Sequence, residues 1–195
     1  MKYINLILIV FLIWGCAGSK IPDGINPIYY PSGNLKAEVT YLKGKKDGSA
    51  KEYYENGKLK AEYEYRVDQL QGSTTHYFNN DKNIVMKRLN YSEGMKNGPA
   101  VEYYPDGIRK WEGNYVDDQL SGFVISYFEN GSKKEEANFS LGSKHELVKT
   151  YFPNGHVKTE EIWVNNNKAQ IKWFNIDGTI RYVQKFDLPV VEEEN

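Results

Sequence analysis

Side chains able to do chemistry are scarce in this chain of 195 residues, and they are poorly spaced for it. The three histidines, His76, His145 and His156, stand far apart and share no spacing to a common partner. A single cysteine, Cys16, excludes an intramolecular disulfide and any zinc site of the usual Cys/His spacing. The glycines are spread along the chain instead of being gathered into a phosphate-cradling loop. Catalysis needs a nucleophile, a base and an oxyanion-binding group converging in one cleft. No such set can be assembled here, so the expectation is a protein that is not an enzyme and uses no cofactor or metal.

One constellation is tempting. Glu38, Glu62, Glu112, Glu136 and Glu160 recur in a common frame, each two residues after Lys36, Lys60, Lys110, Lys134 and Lys158. On one face of a strand these would form an exposed ion-pair lattice, each pair contributing about 0–1 kcal/mol. The alternative is a site for Ca²⁺ or a basic ligand.

The elements that carry this column repeat. An aromatic pair recurs as Tyr29-Tyr30, Tyr53-Tyr54, Tyr77-Phe78, Tyr103-Tyr104, Tyr127-Phe128, Tyr151-Phe152 and Trp173-Phe174, at intervals of 24, 24, 26, 24, 24 and 22 residues. Two residues after each of the first six comes a turn pair: Ser32-Gly33, Asn56-Gly57, Asn80-Asp81, Asp106-Gly107, Asn130-Gly131 and Asn154-Gly155. Asn-Gly and Asp-Gly suit tight hairpin bends because they tolerate positive φ. A later aromatic follows in Tyr41, Tyr65, Tyr115, Phe139 and Trp163, and a second glycine precedes the next pair in Gly48, Gly72, Gly98 and Gly122. Between the bends the alternation has period two, with Leu59, Ala61, Tyr63 and Tyr65 against Lys60, Glu62 and Glu64. That is a half-buried strand, not a helix.

The chain is therefore expected to be all-β, an elongated single-layer antiparallel sheet of about seven stacked β-hairpin repeats over residues 29–186. About 13 strands spaced about 4.8 Å apart would give a ribbon roughly 60 Å long. Sixteen tyrosines suit such a thin sheet, since each ring covers apolar surface while its hydroxyl stays wet. The first aromatics of successive pairs, Tyr53, Tyr77, Tyr103, Tyr127 and Tyr151, face opposite to their neighbours and form a candidate exposed binding column. Packing against lysine stems is the competing reading for the same rings. A net charge of −1 with Lys and Glu interspersed offers no basic field for nucleic acid.

Runs such as AEYEYRVDQLQGSTTHYFNN and KWEGNYVDDQLSGFVISYFENG resemble the MORN repeat, in the bacterial variant found in the YwqK-like antitoxin family. The resemblance covers about Tyr29 to Phe186. It departs from the pattern in four places: near Lys82–Ile84, where two residues are added and the glycine of the turn is lost; near Ser143–Glu146 and near Asn165–Lys168, where the second glycine is missing; and at Asn175–Gly178, where one residue is extra. The resemblance implies a scaffold that binds a protein partner and, in its narrower form, an antitoxin or immunity-type protein acting on a toxin. Choline-binding and glucan-binding repeats also use paired aromatics on short hairpins, so a cell-wall or glycan-binding module is the alternative.

The first residues read differently. Lys2 precedes a nearly unbroken apolar run, Ile4 to Trp14, too short for a membrane span of about 20 residues but suited to a signal peptide. It ends in Leu12-Ile13-Trp14-Gly15-Cys16, which resembles the lipobox of bacterial lipoproteins although Trp14 is an unusual occupant. Residues 1–15 are thus expected to be a lipoprotein signal peptide. Residues 16–28 follow as a lipidated N-terminus and linker, and 187–195, with Glu192-Glu193-Glu194, as an acidic disordered tail. An uncleaved helical anchor is the other reading of the apolar run. Either places the protein on a membrane of the bacterial envelope, and Ala17 after the cysteine favours the outer membrane where one exists. Cys16→Ser is expected to abolish palmitate labelling and move the protein into the soluble fraction; undiminished label on the variant would remove the lipid anchor from this reading.

Overall fold

A computed structural model of the protein describes residues 21–164 and 167–187. The expected signal peptide, Cys16 and the tail from residue 188 lie outside the described residues. All regular structure among the described residues is β, in one antiparallel sheet of seventeen strands. They are β1 (Gly24–Tyr29), β2 (Leu35–Leu42), β3 (Lys45–Tyr53), β4 (Leu59–Arg66), β5 (Gln69–Leu70), β6 (Gly72–Tyr77), β7 (Val85–Ser92), β8 (Met95–Lys96) and β9 (Gly98–Tyr103). Then come β10 (Arg109–Val116), β11 (Gln119–Leu120), β12 (Gly122–Tyr127), β13 (Lys133–Ser140), β14 (Ser143–Tyr151), β15 (Val157–Val164), β16 (Asn167–Phe174) and β17 (Ile180–Lys185). Each long strand pairs with the next long strand in sequence, so the sheet is a continuous meander. The two-residue strands β5, β8 and β11 run on after one residue into β6, β9 and β12, so the chain crosses the sheet fourteen times.

The sheet opens earlier than expected. Segment 16–28, read as linker, contributes most of β1, which pairs with β2 from Gly24↔Tyr41 to Tyr29↔Leu35. Pro27 sits within that strand. It is tolerated because an edge strand can leave one missing N–H facing away from the ladder.

Two kinds of bend alternate. At Asn56-Gly57 the Tyr54 N–H donates to the Lys58 carbonyl at 2.8 Å and the Gly57 N–H to the Tyr54 carbonyl at 2.8 Å. Only the glycine takes positive φ, at 81°; the Asn56 Oδ1 instead accepts the Lys58 N–H at 3.2 Å. This is a type I turn closed by a left-handed glycine, in which Asn or Asp serves as side-chain acceptor. The other bends have two residues, both left-handed: Lys43-Gly44, Val67-Asp68, Glu93-Gly94, Asp117-Asp118 and Leu141-Gly142. Twisted strands favour such type I′ turns. The second glycines do not mark these bends. Gly48, Gly72, Gly98 and Gly122 lie in the returning strand at a bulge, with φ of 109°, 74°, 104° and 76°. In the fifth copy, which lacks that glycine, Glu146 takes the conformation at φ 59°.

The last copy is also registered differently from the expectation. Its bend bonds are Asn175 N–H to Thr179 O at 2.8 Å and Gly178 N–H to Asn175 O at 2.9 Å. Phe174 therefore occupies the place of Tyr53, and Asn175 that of Tyr54. Trp173-Phe174 is not the seventh equivalent pair, and no residue is inserted after it. The third copy does carry its two extra residues, closed by Phe78 N–H to Ile84 O at 2.9 Å with Asn83 at φ 50°.

The apolar interior is thin. Ala50, Thr74, Ala100, Val124, Val148 and Ile171 form a column of buried small and aliphatic residues, one per returning strand. Rings roof the first of them: Tyr41, Tyr63 and Tyr65 pack over Ala37, Val39 and Ala50. Small residues are required beneath because a single layer buries a position only by laying a neighbour's ring across it. This is the aromatic face.

The opposite face carries a charged row. Glu38, Lys51, Glu62, Thr75, Arg88, Val101, Glu112, Ile125, Glu136, Lys149, Glu160 and Lys172 stand opposite one another, strand after strand.

The bulge and the two-residue bends make opposite predictions. A Cβ at Gly48 would meet Thr40 Cγ2 at 3.2 Å on a backbone at φ +109°, so Gly48→Ala is expected to cost about 1–3 kcal/mol. Exposed Leu141 sits at φ 47°, so Leu141→Asn is expected to gain about 0.5–1 kcal/mol. Urea midpoints moving in the same direction would contradict this account.

Candidate binding surfaces

Tyr53, Tyr77, Tyr103, Tyr127 and Tyr151 end β3, β6, β9, β12 and β14, on the charged face. Four of them are half-buried pins. The Tyr53 hydroxyl donates to Glu38 at 2.8 Å, Tyr77 to Glu62 at 2.6 Å, Tyr127 to Glu112 at 2.5 Å, and Tyr151 to Glu136. Each bond joins one copy to the copy before it. The second aromatics add another link in the opposite direction. Tyr30, Tyr54 and Tyr104 donate to the backbone carbonyls of Tyr53, Tyr77 and Tyr127, each at 2.8 Å. Phe78, Phe128 and Phe152 have no hydroxyl with which to do so.

The carboxylate column is thus engaged, but not with the lysines two residues back. The register slips between Glu52 and Tyr53, and a one-residue slip reverses the alternation. Lys60 therefore shares the aromatic face with Ala61, and its ammonium meets Glu52 at 3.2 Å; Lys110 meets Glu102 at 2.8 Å in the same way. On the charged face Glu112 and Glu136 pair with Arg109 at 2.9 Å and Lys133 at 2.8 Å.

Burial, with the Glu62 hydrogen bond and its charge, pushes the Tyr77 phenol up to about 12. Burial and Glu136 push Tyr151 up likewise. Burial alone would raise Glu136, but the donors Lys133 and Tyr151 outweigh it and hold the carboxyl below its usual range. His76 is half-buried with its ring edge-on to Tyr63 at 5.6 Å; burial and the Lys87 charge lower its pKa. His145 and His156 are exposed on other copies.

Two grooves stand out, one on each face of the middle copies. On the aromatic face a trough of about 460 Å³ is lined by Tyr91, Tyr104, Trp111 and Tyr115 together with Lys87, Lys96, Lys110, Lys134 and Glu102. Trp111 and Tyr115 lie 6.1 Å apart, tilted by 48°, and the Lys96 ammonium sits 5.0 Å over the Tyr115 ring. The same lysine-over-ring contact recurs at Lys46 on Tyr65, 4.9 Å, and Lys168 on Trp163, 5.3 Å. Glu102 is already paired with Lys110, so the trough is cationic. Its ring Tyr115 belongs to the repeated column; Trp111 is unrepeated and gave no periodic signal.

On the charged face a groove of about 520 Å³ runs past Arg88, Tyr103, Arg109, Glu112, Phe123 and Ile125. Phe123 is 73% exposed.

Because the Tyr127 hydroxyl is bound and Tyr103 donates to no side chain, Tyr127→Phe is expected to cost about 0.5–1.5 kcal/mol and Tyr103→Phe almost nothing in urea unfolding. Stability should also fall as pH rises from 10, the ordinary tyrosine value, through about 12. The folded state keeps the Tyr77 proton over that range while the unfolded chain releases it. Phenolate absorbance read beside the unfolding signal checks both; equal losses in the two variants would refute the pins.

The family model described as a MORN repeat variant matches residues 22–43, 46–66 and 147–165. No curated protein matches the chain. Among solved structures, the crystal structure of the GtfA/B complex bound to UDP and GlcNAc aligns at 12% identity and a TM-score of 0.25, over 60% of this chain and 24% of that one. The chain thus spans about a quarter (24%) of that protein, and a likeness so slight bears on neither fold nor function. The matched segments fall on β1 to β4 and on β14 to β15, so the chain carries MORN-type repeats in these hairpins.

Proposed function

We propose that this protein is a lipid-anchored scaffold of the bacterial envelope that binds a protein partner through the trough on its aromatic face. The observation that carries the reading is the trough itself. Three rings, Tyr91, Trp111 and Tyr115, present rigid contact area beside four lysines and one already paired carboxylate. Aromatic rings supply such area at low entropic cost and are enriched where proteins meet. The surplus of ammonium groups selects an acidic partner surface and speeds encounter with it. The Cys16 anchor keeps the array at the membrane, two or more acyl chains being needed for stable attachment. Neither catalysis nor nucleic-acid binding forms part of this reading.

In its narrower form the partner is a toxin and the protein its antitoxin or immunity factor. A second reading, recognition of cell-wall glycan, draws on Trp173 and Tyr182, whose rings lie 5.2 Å apart with Tyr182 56% exposed, as sugar-stacking surfaces require.

The test compares the wild type with Trp111→Ala and Lys96→Glu, both on surface positions and checked for an unchanged far-UV spectrum. The narrower form predicts a toxin gene beside this one, and co-expression with that toxin should restore growth for the wild type and fail to do so for either variant. Rescue undiminished in both would dismiss the trough. Retention of the wild type on purified peptidoglycan, lost in Trp173→Ala and kept in Trp111→Ala, would favour the glycan reading instead.

A further inference from the structure

Among the described residues the series of tyrosine–glutamate pins is broken within its run at one place, between the third and fourth copies. Glu38, Glu62, Glu112 and Glu136 each accept a hydroxyl from the tyrosine fifteen residues later. The residue fifteen before Tyr103 is Arg88, and it occupies the same place in the charged row, opposite Thr75 on one side and Val101 on the other. A guanidinium cannot accept a hydrogen bond. Tyr103 is thus held like its four counterparts, at the end of its strand with the same onward register (Tyr103↔Arg109, as Tyr127↔Lys133), but has no acceptor. Arg88 is exposed and forms no ion pair among the described residues. Two donors therefore stand where the other copies have a donor and a carboxylate.

Around this point the surface changes character. The row positions on either side of Glu112 are Val101 and Ile125, where Glu62 has Lys51 and Thr75 and Glu136 has Ile125 and Lys149. Phe123 projects beside them at 73% exposure, in the place that Ser49 and Ser73 hold in earlier copies. The groove of about 520 Å³ joins the Arg88 and Tyr103 donors to this apolar shelf.

We propose that the interrupted pin is a docking site for an acidic segment of a partner protein. A glutamate or aspartate carboxylate of that segment takes the position that the chain's own glutamate fills in the other copies, accepting from the Arg88 guanidinium and the Tyr103 hydroxyl. An apolar neighbour in the segment lies on Phe123 and Ile125. Charge complementarity selects the anion, since Arg109 adds positive charge beside a Glu112 already bound twice. The shelf selects a polypeptide, because a lone carboxylate on two partly solvated donors leaves the apolar side of the groove uncovered. The site lies on the face opposite the trough and does not rest on it.

The full-length protein in detergent is titrated with a fluorescein-labelled peptide in which glutamates alternate with leucines, and with its glutamine counterpart. Saturable binding is expected, at least tenfold weaker for the glutamine peptide and weakened by salt. Arg88→Glu is the decisive variant. It supplies the missing acceptor, so the urea midpoint should hold or rise while peptide binding falls at least tenfold. Tyr103→Phe should weaken binding severalfold at unchanged midpoint, and Trp111→Ala should leave it untouched, which separates this site from the trough. Equal binding by Arg88→Glu, or equal affinity for the two peptides, would overturn the proposal. So would Arg88-dependent binding to phosphatidylglycerol vesicles without peptide binding, which would make the anion a lipid headgroup.

Discussion

A sheet one layer thick has no second layer to bury its faces, so every repeat must be covered by its own neighbours. Ala50, Thr74, Ala100, Val124, Val148 and Ile171 are buried within that single layer, and at Ala37, Val39 and Ala50 the rings of Tyr41, Tyr63 and Tyr65 supply the cover. Other rings, those of the aromatic pairs, add hydrogen bonds that reach into the neighbouring copy. One hairpin would lose this cover, and its chain entropy, of order 1–2 kcal/mol per backbone residue, would go unopposed. Stability here belongs to joints between repeats more than to any interior.

The same constraint divides the labour of the faces. Bulges beside the aromatic pairs return Lys60 and Lys110 to the aromatic side, where they meet Glu52 and Glu102 and line the edges of the rings. Were the strands regular, those lysines would join the glutamate row. The bulge thus makes one face both aromatic and cationic, and leaves the other a ladder of carboxylates answered by phenols, Arg109 and Lys133. Binding capacity follows from this partition without any deep cavity.

Much of the architecture was legible because bends with Asn-Gly and paired aromatics leave a compositional mark at fixed spacing. The two-residue bends left a weaker one: their second residue is Gly in Lys43-Gly44, Glu93-Gly94 and Leu141-Gly142 and Asp in Val67-Asp68 and Asp117-Asp118, while the first is of no common type. The conspicuous glycines beside them, Gly48 and Gly72, answer to a bulge instead. At the last copy the aromatic character of Trp173 outweighed the better clue, the Asp177-Gly178 bend, and shifted the register by one residue. At the candidate sites, Tyr115 was visible through its period while Trp111 and Phe123 were not, having no counterparts. The meaning of Arg88 was hidden for another reason. A missing carboxylate has significance only once the phenol fifteen residues onward is known to seek it.

The joints are not equally strong. Between the first and second copies both cross-links exist, from Tyr53 to Glu38 and from Tyr30 to the Tyr53 carbonyl; the next joint, and that between the fourth and fifth copies, match it. Between the third and fourth copies neither is present, since Phe78 lacks the hydroxyl and Arg88 the acceptor, and the last joint lacks both as well because Phe152 and Phe174 have no hydroxyl. A seam in the side-chain links therefore crosses the middle of the ribbon, while the backbone ladder runs on through β6, β7 and β9. A carboxylate seated at Arg88 and Tyr103 would act as a rivet across that seam, stiffening the whole array through occupancy of one joint.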